Sequence, residues 1–573
     1  MSHFVAAWTP PGVNLDPATG DQLASALSPA GAVTRFATDR VAVAFWDSGL
    51  WPGDSVHATD DCRCAVVGDP VLAVGGEAVP RGDAVAHLLE GVLRSPGLTL
   101  TNAQGTFAAL AWDPSGAMVA ATDKLGVRPI YWAQAGRTVY VSTVFWALSA
   151  IPTIPAVPDL RGVVETCAFG APLADRTVTA AVRTLGAGEY IDLTAHAPVV
   201  RRYCDWTNLP AHGVPDAELP EYITDAFNCA VDSRLYGQDR AFAFLSGGMD
   251  SRLVVSRLRR REVNVFALNF APPGSQDLLF GRMAAAATGT RLFTFDDEGL
   301  DFLARRDRAF KAWDTDLART GQSPQKVRLV WSGDGGSVGL GHVYLNEEIV
   351  RLARSGDLAR AAQLIQTANR YQVSARSFVY KHRELADLPL QGIFEDLRSR
   401  NGVEAGRNAH LFFMLNDQRR HLTEHFEQLH LHMLDMVLPF FDGRFVTAVC
   451  ASPVDPFLLH RLYNRIMARQ PFGLGQVPWQ VYPGHAPCPV SAPESGRLQW
   501  QEGWSDRKAE RGVVRERMMR SLRFVLSSRF PSDVLSRANL TVAATAGLLG
   551  WSQYGHLLKP IGPVCAAHRI AAP

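Results

Sequence analysis

The sequence predicts an α/β chain in two parts. A β-rich stretch comes first, then a parallel α/β unit that runs on into a largely helical region. Three observations carry this. Short apolar–polar alternations broken by Gly, Pro or Asp fill roughly the first two hundred residues. After them an apolar run, a glycine-rich turn, an amphipathic stretch and a second apolar run follow in order, which reads as strand, helix, strand. From about residue 345 to 470 the apolar residues take helical spacing.

In chain order, "AVAFWDSG", "CAVVGDPVLAV", "GTFAALAWDPSGAMVAATD", "TVYVST" and "GEYIDLTAHAPVVRRY" read as strands. "DAVAHLLEGVL", Asp83 to Leu93, is the clearest early helix. Pro210, Pro215 and Pro220 punctuate a linker near 204–220, which divides the chain into 1–205 and 206–573. "LPEYITDAFNCAVDSRL" has helical spacing beyond it. "AFAFLSGGMDSRLVVSRLRRR", Ala241 to Arg261, reads as strand, turn and helix, and "VNVFALNF" as another buried strand.

A length of 573 residues implies two or more domains. With 47% hydrophobic and 20% charged residues the composition is globular, and a net charge of +1 gives no bulk electrostatic case for nucleic acid or an anionic membrane. No run of about 18 apolar residues is present, so no membrane-spanning helix is expected. "MSHFVAAWTPPG" lacks the basic and apolar regions of a signal peptide. The eight scattered cysteines fit a reducing, cytoplasmic setting, and Cys62-Arg63-Cys64 lacks the second pair a zinc site needs.

The turn Ser246-Gly247-Gly248-Met249-Asp250-Ser251 carries the chemistry. A strand that ends in glycines before a helix lets backbone amides approach an anion, with the helix N-terminus aimed at it. Ser246 and Ser251 add hydroxyl donors. Asp250 would repel bare phosphate but suits a divalent cation that bridges phosphate oxygens. The order differs from the GxxxxGK[ST] loop of nucleoside triphosphatases.

At these residues the chain resembles the ATP pyrophosphatase superfamily, within it asparagine synthetase and its relatives β-lactam synthetase and lasso-peptide cyclase. Further segments resemble the same family in order: "GTFAALAWDPSGAMVAATDKLGVRPIYW" (Gly105 to Trp132), "GEYIDL…RRYCDW", "WSGDGGSVGLG" (Trp331 to Gly341) and "LPFFD" (Leu438 to Asp442). The resemblance implies an N-terminal-nucleophile (Ntn) type α/β/β/α sandwich, followed by a Rossmann-like ATP pyrophosphatase domain. It implies ATP and Mg²⁺, with Phe244, Ser246, Gly247, Gly248, Asp250, Ser251, Leu268, Ser332 and Gly333 at the nucleotide and Asp250 and Asp334 at the metal. Adenine would lie near the end of "FALNF", Phe266 to Phe270. The reaction implied is adenylation of a carboxylate, release of pyrophosphate and capture of the acyl group by an amine.

Three departures shape the expectation. Ser2 stands where the family's glutaminase has cysteine, and a serine is a far weaker nucleophile near neutral pH. The glutamine-holding "RGPD" and "NGEIYN" segments also lack a convincing match, so a vestigial glutaminase domain is expected. Ser337 falls where the family has a metal-binding Asp, which leaves Asp334 as the nearby carboxylate. No lysine occurs between Lys381 and Lys508, where the family has one that stabilises acyl transfer; His485 in "QVPWQVYPGHAPCPV" is the candidate catalytic cation, beside Asp334. Without ammonia from glutamine, an amine of the substrate itself is expected. A lasso-type macrolactam cyclase acting on a precursor peptide, with peptide-processing partner proteins, leads this reading. A small-molecule ligase of the asparagine synthetase or β-lactam synthetase kind, and a non-catalytic nucleotide-binding scaffold, are the alternatives.

Two other signals compete. "HLTEH", His421 to His425, fits a zinc-hydrolase pattern that puts two imidazoles on one helical face, against the plainer reading of a polar helix beside the cleft. The "RLRRR" run, Arg257 to Arg261, suits a helix C-terminus, where cations meet the negative end of the dipole.

Overall fold

The computed structural model describes residues 2–74, 77–295, 302–319, 321, 328–379, 382–400, 402, 404–492 and 507–572. Two six-stranded antiparallel sheets build the N-terminal part. In one, His3–Trp8 lies between Val41–Trp46 and Thr138–Ser142. In the other, Gln104–Trp112 lies between Arg63–Val71 and Met118–Thr122. Alternate side chains of Gln104–Trp112 separate two cores. Ala108, Leu110 and Trp112 join the core shared with the first sheet, while Phe107, Ala109 and Ala111 pack with Leu88 and Leu89 of the Arg81–Val92 helix. The Thr19–Leu27 helix places Leu23 and Leu27 in the first core. The result is the expected sandwich of helix, sheet, sheet and helix.

All five strand segments read from the alternation are present, and the expected early helix forms as Arg81–Val92. The Leu160–Phe169 helix was not anticipated, although its ends carry ordinary signals. Asp159 accepts from the Gly162 N–H at the start, and Gly170 closes it in the left-handed region at φ 83°. The proline-punctuated stretch is anchored rather than free: the buried Trp206 donates its indole N–H to the Lys124 carbonyl at 2.7 Å.

The C-terminal part is built on a five-stranded parallel sheet. Its order is Arg291–Thr294, Asn264–Asn269, Arg240–Phe244, Leu329–Trp331, Asp435–Val437. The chain starts in the middle strand, adds two strands on one side, then crosses over to add two on the other. The switch point lies between Arg240–Phe244 and Leu329–Trp331. Ligands of open parallel sheets bind beyond the strand ends at this crevice. Helices occupy most of 347–468, as the spacing predicts. No helix among the described residues is long and apolar enough to cross a membrane.

Buried charges tie the sandwich to the parallel sheet. Arg128, in the loop after Met118–Thr122, meets Asp435 at 2.9 Å, and both side chains are almost fully inaccessible. The Arg128 guanidinium also lies 3.7 Å from the Phe426 ring centre, and the Trp51 indole donates to Asp435. Burial would raise the Asp435 carboxyl, but the charge of Arg128 foremost, together with hydrogen bonds from Arg128 and Trp51, helps to hold the group at about 2. A second link runs from Asp69 to Arg234 at 3.4 Å and from Arg234 to Asp442 at 2.8 Å.

Removing one partner of a buried pair leaves the other charge desolvated. Arg128→Ala should therefore destabilise the protein by about 3–5 kcal/mol, read as a lower urea midpoint. Loss of less than about 1 kcal/mol would show that the pair does not hold the seam.

Candidate active site

Two glycine-rich loops leave adjacent strands and meet at the switch point. The first, 245–249, joins Arg240–Phe244 to the helix Asp250–Arg260. Its hydroxyls are organised internally: the Ser251 hydroxyl accepts from the Ser246 N–H at 2.9 Å and lies 2.9 Å from the Ser246 hydroxyl. The Gly248 N–H donates to the Ser246 hydroxyl at 3.2 Å. The second loop follows Leu329–Trp331 and runs through Ser332, Gly333, Asp334 and Gly335 into the short helix Gly336–Gly339.

The loops are in backbone contact, and this explains two glycines. A Cβ at Gly333 would sit 2.6 Å from the Ser251 nitrogen, and one at Gly336 would sit 2.5 Å from Asp250 Oδ1. Any larger residue would push the second loop off Asp250.

Three carboxylates surround the meeting point, each held differently. Asp250 accepts from the Ser337 hydroxyl at 2.6 Å and from the Tyr463 hydroxyl. Burial raises its carboxyl to about 6 despite those bonds. Burial would also raise Asp334, but hydrogen bonds from His421 and Ser332 outweigh it, so this carboxyl stays below its usual range. His421 Nε2 lies 3.4 Å from Asp334, and that bond raises the imidazole in turn. Asp277, in the first turn of the Gln276–Thr288 helix, accepts the Gly247 N–H.

The described residues hold no cluster of three or more Cys, His, Asp or Glu arranged for a metal. Asp250 and Asp334 are nonetheless close enough for the charge of Asp334 to raise Asp250. A carboxylate whose ionisation a second carboxylate disfavours, beside glycines open to a polyanion, fits a cation that arrives with phosphate oxygens as its other ligands. The "HLTEH" segment is not one helix. It breaks at Leu422 into Arg419–His421 and Thr423–Glu427, and His425 Nε2 meets the Leu434 carbonyl at 3.0 Å while His421 turns to Asp334.

A cavity of about 230 Å³ opens at the first loop, with Ser246, Gly248, Asp250, Asp277, Ser337 and Tyr463 in its wall. Phe244 packs on Phe270 at 5.6 Å, and Phe270 stacks on Phe295 at 5.5 Å, forming an apolar shelf at the strand ends. The buried Leu268 accepts the Leu245 N–H at 3.0 Å, which fixes the start of the loop to that shelf. The structure thus brings Phe244, Ser246, Gly247, Gly248, Asp250, Ser251, Leu268, Ser332, Gly333 and Asp334 to one crevice. His485 is not in the cavity wall; its ring packs tilted against His460 with centres 4.3 Å apart. Ser2 lies in the sandwich, buried, and its hydroxyl donates to Asp47 at 2.6 Å.

Sequence reading missed Asp277, Tyr463 and His460. Asp277 had a local signal, a serine N-cap with an acid in the first turn, since Ser275 accepts from the Leu278 N–H. Tyr463 lies 213 positions from its partner Asp250, and no local pattern announces such a pair.

The second loop is braced from behind by a histidine stack. His342 and His410 lie parallel with centres 3.8 Å apart, and Arg407 donates to both, at 2.8 and 3.0 Å. His410 Nε2 reaches the Val338 carbonyl at 3.1 Å. Burial first, then the neighbouring charges, holds both imidazoles well below their ordinary range, so the folded state needs them neutral. The unfolded chain takes up these protons near pH 6.5 and the folded chain only at much lower pH. Stability contributed by the stack should be complete above about pH 6.5 and fall as pH drops below it. In melting curves between pH 7 and 5, His410→Gln should lower the midpoint at pH 7 and flatten the acid slope. An unchanged slope would remove the stack as its source.

Two family profiles match the sequence: a glutamine amidotransferase domain over residues 88–204 and asparagine synthase over residues 222–467. No curated protein matches significantly. Among solved structures, glutamine phosphoribosylpyrophosphate amidotransferase from B. subtilis, complexed with ADP and GMP, aligns at 11% identity. That alignment covers 70% of this chain and 94% of the other, with a TM-score of 0.25. NMN synthetase from Francisella tularensis aligns at 14% identity over 36% of this chain and 95% of its own, with a TM-score of 0.17. Likeness at those scores carries no weight for function. The asparagine synthase domain marks an ATP-dependent amide ligase of the asparagine synthetase type. An amidotransferase domain placed before an asparagine synthase domain matches the architecture of the asparagine synthetase superfamily.

Proposed function

We propose that the chain adenylates a substrate carboxylate and joins the acyl group to an amine carried by the substrate itself. The single observation behind this reading is the convergence of both glycine-rich loops on Asp250 at the switch point of the parallel sheet. The first loop would hold the β- and γ-phosphates on its amides and hydroxyls, while the Phe244–Phe270 shelf takes the base. A carboxylate oxygen of the substrate attacks the α-phosphorus. The bond to the bridging oxygen breaks, and pyrophosphate leaves with the electron pair. The amine then attacks the acyl carbon, AMP departs with its electron pair, and the amine loses its proton to solvent. Holding carboxylate and nucleotide together supplies the entropy of the encounter in advance. Asp250, with Asp334 beside it, would hold Mg²⁺, whose charge offsets that of the phosphates.

The amine is assigned to the substrate because the sandwich offers no prepared glutaminase nucleophile. Ser2 carries a hydroxyl where a thiol is expected, a far weaker nucleophile near neutral pH, and it is buried. Ring closure then follows from one molecule that carries both groups, and a lasso-type macrolactam from a precursor peptide is the form we favour.

ATP–pyrophosphate exchange with candidate acids tests the reading. Asp250→Ala should reduce exchange more than about hundredfold while the melting curve stays cooperative. Unchanged exchange would remove Asp250 from the reaction. Exchange by neither the wild type nor the variant, with any acid, would leave only a nucleotide-binding scaffold. Incubation with glutamine should release no glutamate, with or without ATP. Release that matches synthesis and disappears in Ser2→Ala would reinstate the glutaminase.

A further inference from the structure

The cavity at the first loop is lined by two carboxylates, Asp250 and Asp277, and by no lysine or arginine. For a site that must take a polyanion this is an electrostatic deficit. One lining residue can offer the polyanion a neutral hydrogen-bond donor, since burial and then the neighbouring His485 hold the His460 imidazole down at about 3. His460 is only 4% exposed, it lines the cavity, and its Nδ1 has no hydrogen-bond partner. A buried imidazole nitrogen left unpaired is costly unless a ligand completes it.

The backbone is arranged for this side chain. Leu459 and His460 have φ of 56° and 63°, the only adjacent non-glycine pair in the left-handed region among the described residues. Such strain persists where surrounding structure enforces it, and it concentrates at functional sites. The enforcing contacts are visible. The Ala486 N–H donates to the Leu459 carbonyl at 2.9 Å, and the His485 ring packs at a tilt against the His460 ring, centres 4.3 Å apart. Gly341, at the end of the second loop, leaves room for the ring, since a Cβ there would stand 3.0 Å from His460 Nε2.

We propose that His460 donates from Nδ1 to an oxygen of the phosphate chain held at the 246–251 loop and retains that contact with the leaving pyrophosphate. His485, the cation expected from the sequence, then serves as the neighbour whose tilted ring packs against His460 and sets it. This inference rests on the ligase reading for the identity of the polyanion.

The test uses His460→Asn and His460→Asp. Both residues accept a left-handed backbone and they are nearly equal in shape, and a urea midpoint for each variant separates the cost of burying the Asp carboxyl from the loss of the donor. Asn keeps an N–H donor; Asp presents a negative oxygen. Binding of magnesium pyrophosphate is measured by calorimetry, alongside KM for ATP and kcat in exchange. The Asn variant should bind pyrophosphate within about threefold of wild type, and the Asp variant at least about tenfold more weakly, with KM for ATP rising in step. Equal pyrophosphate affinity in the two variants would overturn the assignment. A wild type that binds pyrophosphate but exchanges none would overturn the ligase reading alone, and the Asn–Asp comparison would still decide the role of His460. A wild type that binds no pyrophosphate would overturn both.

Discussion

The geometry of the site depends on how closely two backbone loops can approach. Gly333 and Gly336 lie against Ser251 and Asp250 at separations no side chain allows. That contact fixes where the Asp250 carboxylate stands, and so which hydroxyls reach it. Ser337 follows Gly336 directly and meets one oxygen, and Tyr463 meets the other. Asp334 is carried on the same loop and is steadied by His421. The histidine stack behind Val338 resists displacement of the loop as a whole. A site assembled from two loops of separate strands thus behaves as one rigid unit.

Strand order explains why the loops meet there. In a parallel sheet, connections from neighbouring strands normally leave on opposite faces at the switch point, and the gap between them is the available crevice. Arg240–Phe244 and Leu329–Trp331 flank that gap, and the glycine-rich turns are the first residues beyond each. The sheet supplies the position, and the glycines supply the closeness that a nucleotide triphosphate requires.

Much of this was legible in the sequence. Strands that alternate, and apolar runs bounded by Gly and Asp, announce themselves locally, and the SGGMDS turn carries its chemistry in six adjacent residues. The four-layer order of the sandwich and the placing of both loops in one crevice followed from the family resemblance. What could not be read were side chains delivered from far away. Tyr463 and His460 reach the first loop from a segment more than two hundred positions later, and Asp277 sits on the next helix. The zinc pattern in "HLTEH", which the sequence reading set below a polar helix, needs a helical period across Leu422, where the helix breaks. The linker looked free because proline content is visible and the burial of one tryptophan is not.

The seam between the two parts also sets a schedule. Arg128 and Asp435 are separated by 307 positions. A ribosome adding about 5–20 residues per second needs roughly 15 to 60 s to cover that distance. For that interval the sandwich can fold layer by layer, yet Arg128 stays without the aspartate that neutralises it, whereas Arg234 reaches Asp69 well before Asp435 is made. The nascent sandwich therefore waits with its charges still in water. Closure at Asp435 is therefore a late step, taken only once the strand Asp435–Val437 has been made.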